Sequence, residues 1–187
     1  MNRSLRQRLA ALPPLGPPSP SPHQRCAAVL IAVLEQEADC PVIFTRRATR
    51  LRQHAGEICL PGGLMEPADN RCVIRTALRE AHEELGLSVS PAAVRAVLPA
   101  CDNSSGVRVY PVLARVTRPR QWRLQASEVA DVLELPLAAF MDAGQYQHQE
   151  IEYRGRRKTS LVLSYRGERI WGLTARIMDR LRQRLPG

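Results

Sequence analysis

Aromatic side chains are scarce in this chain and lysine is nearly absent. Of 187 residues, two are Trp, two Phe and four Tyr, and Lys158 is the single lysine. Surfaces that hold single-stranded nucleic acid interleave basic residues with stacking aromatics. No such stretch occurs, although a net charge of +9 leaves nucleic acid open on charge alone. Runs of about eighteen apolar residues are missing too, which excludes a membrane-spanning helix. Met1 to Leu12 carries Arg3, Arg6 and Arg8 among leucines without an apolar core, so it does not read as a secretory signal. Its arginines imitate a transit peptide, but the spacing of Leu5, Leu9 and Leu12 favours a short docked helix. The five cysteines (Cys26, Cys40, Cys59, Cys72 and Cys101) are odd in number and lack Cys-x-x-Cys spacing, which argues against a disulfide framework and a zinc site. A reducing cytoplasm fits them best, and Cys59 reads as a buried inert thiol.

What is abundant is arginine, and the most informative acids lie together. In Arg79-Glu80-Ala81-His82-Glu83-Glu84-Leu85-Gly86-Leu87, a helix places Glu80, Glu83 and Glu84 within a narrow arc. Three carboxylates that close repel, and a hard divalent cation with oxygen ligands is the usual reason to tolerate them. Ile74, Leu78, Ala81 and Leu85 recur at i, i+4, i+7 and i+11, predicting a buried stripe on the far side. Gly86 reads as a left-handed C-cap, and Pro67, Asp69 and Asn70 as start signals. Upstream, Arg46, Arg47, Arg50 and Arg52 crowd the approach to this helix. Guanidinium forks suit phosphate oxygens, so a polyanionic small molecule is the expected partner.

Residues 79–87 match at every position the later half of the Nudix box, Arg-Glu-apolar-x-Glu-Glu-x-Gly-apolar, following Gly62-Gly63. The earlier half departs: Arg71 stands where the general pattern has Glu, and the nearest acid is Asp69. The segment before the box resembles the coenzyme A pyrophosphatase branch of that family. Thr45, Arg47, Leu51, Arg52, His54, Gly56, Glu57, Pro61, Gly62 and Gly63 match the branch pattern at fixed spacing. Ala48 replaces its Ser and Leu60 its Phe. Downstream, Val109-Tyr110-Pro111-Val112, Glu128-Val129 and Arg169 to Arg176 are also similar to the branch.

Strand candidates are Cys26 to Leu34 and Pro41 to Thr45, joined as a hairpin around Glu37 and Asp39, then Val94 to Leu98, Val107 to Val116 and Val129 to Leu135. Pro136 to Met141 reads as a short helix or turn. Ile151 to Arg154 and Thr159 to Tyr165 flank Gly155 as a second hairpin, and Leu173, Ile177, Leu181 and Leu185 mark a closing helix. Residues 1–22 are expected to form an N-terminal helix and Pro-rich connector, and residues 23–187 one domain. The resemblance implies an α/β fold: an α/β/α sandwich with a mixed sheet, a central metal-binding helix and a C-terminal helix.

It also implies a chemistry. Cleaving a pyrophosphate needs cations to neutralise charge and to activate water. Glu80 and Glu84 are the expected Mg²⁺ or Mn²⁺ ligands, Glu83 a further ligand or water-orienting base, and the Gly62 carbonyl an additional ligand. Arg79 is expected to hold the Glu83 carboxylate, and Glu128 to ligate a metal or act as base. At least one of Arg47 and Arg52 is expected to pair with a substrate phosphate, Arg52 being the favoured one and the phosphate it meets left open; coenzyme A offers a 3′-phosphate that such a cluster can read. His54 bonds either a phosphate or backbone only, and Glu57 lies near the metals or caps a turn. His82 is incidental, and Trp171 is assigned to packing. The resulting expectation is hydrolysis of coenzyme A or its thioesters to 3′,5′-ADP and (acyl-)phosphopantetheine. The alternatives are another nucleoside diphosphate derivative (NADH, ADP-ribose or a capped RNA end), or a nucleotide-binding module without turnover.

Overall fold

The computed structural model describes residues 4–13, 20–21, 23–35, 39–51, 54–153 and 155–185, with the side chain of Arg156 left aside. Arg52, Glu37, Arg154 and most of the Pro-rich connector lie outside the described residues.

The frame is set by β1 (Cys26–Val33), an unbroken apolar run buried on both faces. Along it runs β7 (Arg108–Arg115), parallel and in register from Cys26↔Arg108 to Val33↔Arg115. On the other side β1 meets β2 (Pro41–Arg47) only at Val33↔Val42. The expected hairpin therefore pairs at its base and opens. Into the opening goes β4 (Gly62–Leu64), antiparallel to β1 at Val29↔Gly62, Ala28↔Gly63 and Ala27↔Leu64. Strand β8 (Val129–Pro136) pairs antiparallel with β2, as does the two-residue β3 (Ile58–Cys59), while β5 (Val94–Val97) and β6 (Cys101–Asp102) pair with β7. The result is a mixed eight-stranded sheet.

Helix α2 (Val73–Leu85) covers one face of this sheet. Its buried line is Val73, Ala77, Ala81 and Leu85, all fully enclosed; Ile74 and Leu78, expected at its centre, are only partly buried. The helix is rotated because Ala77 and Ala81 pack among Ala28 and Ala32 of β1, where small side chains allow close approach. Gly86 ends it in the left-handed conformation, φ 67°, donating to Ala81 and His82 carbonyls. The expected start signals belong instead to a separate turn, Pro67–Asp69, and Cys72 precedes the first helical residue without a side-chain cap.

On the opposite face lie α1 (Leu5–Ala10) and α3 (Gly172–Arg184), packing Leu9, Ile177, Met178 and Leu181 against Ile31, Val33 and Phe44. A Ser4 and Gln7 capping box starts α1. Phe140, in the turn Leu137–Phe140, stacks on Phe44 at 5.2 Å. Beside this core stands a second sheet, β9 (Tyr146–Tyr153), β10 (Arg156–Tyr165) and β11 (Glu168–Trp171), all antiparallel. The hairpin around Gly155 is longer than its sequence pattern indicates, and β11 extends it. Helices on both faces of a mixed sheet are the expected α/β/α sandwich.

Candidate active site

The opening between β1 and β2 brings the two ends of the box together. Gly63 lies so close to α2 that a Cβ there would stand 2.4 to 2.6 Å from the Glu80 carboxylate atoms. The Gly62 N–H donates to Glu84 Oε2 at 3.3 Å. Gly62 itself has φ +153°, and a Cβ on it would come within 2.3 Å of the Ala28 carbonyl oxygen and 2.6 Å of Val29 Cα. Both glycines are therefore required by close approach, one to a carboxylate and the other to the central strand.

Glu84 is 4% exposed, whereas the Glu83 side chain is 54% exposed on the outer flank. Burial, then the Glu80 charge, pushes the Glu84 carboxyl up to about 8, with Arg47 and the Gly62 N–H opposing. Burial likewise raises Glu80, with Arg79 opposing and Glu83 and Glu128 adding to the rise. Glu128 is exposed in the turn before β8, where its carbonyl accepts from the Ala48 N–H at 2.8 Å, and its charge bears on both buried carboxylates. Like charges held together out of water are a donor set that a divalent cation suits. Among the described residues no group of three or more His, Cys, Asp and Glu side chains is placed to hold a metal ion. Mg²⁺ uses one or two carboxylates together with substrate phosphates and waters, so the Glu80 and Glu84 pair fits its habit.

Arg79 fixes this edge of the helix. It donates from Nε to Asp69 Oδ1 at 3.0 Å, and from its terminal nitrogens to Asp69 Oδ2, the Leu64 carbonyl and Glu83 Oε2 at 2.9 to 3.1 Å. It also pairs with Glu80 at 3.1 Å. Asp69 is 2% exposed and accepts in addition from the Glu66 N–H and the Thr76 hydroxyl. Arg79, its hydrogen bonds and Thr76 hold its carboxyl below the usual range in spite of burial. The acid nearest the place of the family's missing Glu thus clamps the arginine of the box. Arg71, which occupies that place, instead ties the turn to the Pro20 and Ser21 carbonyls.

Gly62 and Gly63 line a cleft of about 720 Å³. Arg47 enters it from the end of β2 beside a β-bulge, with its Nε buried and lacking a hydrogen-bond partner. Sequence reasoning left His54 a choice between phosphate and backbone only; in the fold its ring meets two side chains rather than backbone. Nδ1 lies 2.9 Å from Glu57 Oε2 and Nε2 lies 3.1 Å from the Tyr153 hydroxyl. Leu60 and Ala48, the two departures from the branch pattern, are both buried, Leu60 lining the cleft as well. Burial pushes the Cys59 thiol up to about 12, so it is no thiolate at neutral pH. Trp171 lines the cleft with Tyr153, their rings 5.7 Å apart and edge-on, and Lys158 Nζ stands 4.0 Å from the Tyr153 ring centroid. Tyr153 and Lys158 were not marked by any motif; the lone lysine of an arginine-rich chain was the available signal.

The NUDIX domain profile matches residues 23–154. A protein of Pectobacterium atrosepticum named an uncharacterized Nudix hydrolase, NudL, is 36% identical over 167 residues, covering 88% of this chain and 86% of its own. A Salmonella paratyphi B protein of the same name is also 36% identical, over 85% and 82%. Among solved structures, a MutT/nudix family protein from Enterococcus faecalis superposes with a TM-score of 0.56 at 15% identity, covering 86% of this chain and 61% of that one. The NUDIX domain of Shewanella oneidensis NrtR, complexed with ADP ribose, gives 0.50 at 21% identity over 63% and 76%. These likenesses support the fold.

Proposed function

The chain belongs to the NUDIX domain family, and on that premise we propose that it hydrolyses the pyrophosphate of coenzyme A or its thioesters. The products are 3′,5′-ADP and phosphopantetheine or its acyl form. Family membership carries the coarser statement, a hydrolase of nucleoside diphosphate derivatives. The observation that carries the chemistry is the approach of Gly62 and Gly63 to Glu80 and Glu84 at the wall of a nucleotide-sized cleft.

Glu80 and Glu84, with Glu83 and the Gly62 carbonyl as further ligands, would hold Mg²⁺ or Mn²⁺. Such an ion supplies charge neutralisation on the pyrophosphate and a lowered pKa for attacking water. Arg79, anchored on Asp69, keeps the Glu80 and Glu83 carboxylates in place at its guanidinium. Arg47 brings an unpartnered Nε to the cleavable phosphates, with Arg52 a second phosphate contact. Glu128 and Glu83 are the candidates to take the proton of the attacking water. Five free thiols accord with a cytoplasmic setting, and no described helix is long and apolar enough to cross a membrane.

A competing substrate is ADP-ribose, the ligand of the Shewanella domain that shares the fold. The decisive assay compares kcat/KM for coenzyme A, 3′-dephospho-CoA, ADP-ribose and NADH with Mg²⁺ or Mn²⁺. Coenzyme A should lead. Faster cleavage of ADP-ribose or NADH would remove the substrate assignment while leaving the hydrolase.

A further inference from the structure

At the wall of the cleft formed by the second sheet, one cation stands apart from the phosphate arginines. Lys158 on β10 is held over two aromatic rings, its Nζ 4.0 Å from the Tyr153 centroid and 5.5 Å from that of Trp171. Three strands supply this group, Tyr153 from the end of β9, Lys158 from β10 and Trp171 from β11. The platform is fixed from behind. Glu57 holds His54, His54 holds the Tyr153 hydroxyl, and the His54 and Tyr153 rings lie 5.5 Å apart.

Among the described residues, the charges around Lys158 leave its ammonium unneutralised. Of the carboxylates lining the cleft, Glu57 is engaged by His54, and Asp179 by Arg182 and Gln183. Among the described residues no carboxylate comes within salt-bridge distance of Lys158. The other cations of the cleft are disposed differently: Arg47 acts on Glu84, and Arg176 donates to the Asp102 carbonyl. An ammonium seated on aromatic faces, half-buried and without a counter-ion among the described residues, is placed to take a dianion from the ligand.

We infer that Lys158, on its Tyr153 and Trp171 platform, is the specificity residue that reads a phosphate monoester on the ribose of the substrate. This rests on the hydrolase reading above and divides the labour in the cleft. Arg47 faces the pyrophosphate that is cut, and Lys158 the terminal phosphate that is not. Trp171 thereby serves recognition as well as packing.

Calorimetric titration of metal-free protein with 3′,5′-ADP, 2′,5′-ADP and 5′-AMP tests the inference without turnover. Wild type should bind 3′,5′-ADP more tightly than 5′-AMP. Lys158→Gln should lose that preference by roughly 10–100-fold while binding 5′-AMP as before, and Lys158→Arg should keep much of it. Equal affinity of wild type for 3′,5′-ADP and 5′-AMP, or an unchanged preference in Lys158→Gln, overturns the inference. A Lys158-dependent preference for 2′,5′-ADP keeps Lys158 as the reader and overturns coenzyme A as the substrate. Failure to cleave coenzyme A, with the binding preference intact, sinks the coenzyme A substrate assignment alone.

Discussion

Gly63→Ala separates the geometry of the site from the stability of the fold. Gly63 has an ordinary backbone, so an alanine strains nothing locally, but its Cβ would stand 2.4 Å from Glu80 Oε1 where normal contact begins near 3.4 Å. The carboxylate must retreat by about 1 Å. A misplacement of that size in a catalytic constellation costs about 10²-fold, or about 2.7 kcal/mol of barrier. The obstacle is the end of a flexible side chain, so folding should be little affected. Loss of unfolded-chain freedom even offsets part of any cost, by about 0.4–1 kcal/mol. Gly62→Ala is the contrast: its Cβ would meet the backbone of β1 at 2.3 and 2.6 Å from a residue with φ +153°. Neither atom can swing aside, and a loss of about 1–3 kcal/mol in stability is expected. Thermal melts and coenzyme A turnover should show Gly63→Ala folded and slow, and Gly62→Ala destabilised. Wild-type kcat in Gly63→Ala, or equal destabilisation of both variants, would refute the placement of Glu80 against Gly63.

Glu80→Gln and Glu84→Gln keep shape and remove charge, and each should lower kcat by roughly 10²–10³ while the protein still folds. If Arg47 meets the phosphates that both substrates share, as proposed, Arg47→Ala should lower kcat/KM about 10–100-fold for coenzyme A and 3′-dephospho-CoA alike; loss confined to coenzyme A would assign it to the 3′-phosphate instead. Asp69→Asn weakens the charged hydrogen bonds to Arg79 and should cost about 1.5–3 kcal/mol in urea unfolding. Because the folded carboxyl titrates below the unfolded one, its contribution is complete above the usual aspartate pKa of about 3.9 and is lost as pH falls through the lower folded value. The stability gap between wild type and Asp69→Asn should therefore narrow as the solution is acidified below the usual aspartate range; a gap that does not change with falling pH contradicts the clamp. Ca²⁺ should support turnover poorly, because its larger and looser coordination sphere misplaces the water, and rates equal to those with Mg²⁺ would count against the metal assignment.

Helix α2 was legible because its signals are local: the periodic apolar residues, the acids at i, i+3 and i+4, and Gly86 all lie within one segment. Its rotation was not, since the choice of Val73 and Ala77 over Ile74 and Leu78 depends on the small side chains of β1 beneath. Strands β3, β4 and β6 have two or three residues, too few for a period to show. That three acids share an edge followed from helical geometry, but burial of Glu84 and exposure of Glu83 depend on where β4 lies. Asp69 stood out only as the nearest acid; its partner Arg79 is ten residues away and is reached through the turn Pro67–Asp69. The Tyr153, Lys158 and Trp171 group joins three strands whose pairing no spacing announces.

Protein stripped of metal with a chelator, then assayed for coenzyme A hydrolysis by chromatography before and after excess Mg²⁺ or Mn²⁺, tests the central claim most directly. The account predicts no turnover in the stripped protein, and equal amounts of 3′,5′-ADP and phosphopantetheine once metal is restored. Hydrolysis that survives chelation, or metal-restored protein that leaves coenzyme A intact, would contradict it.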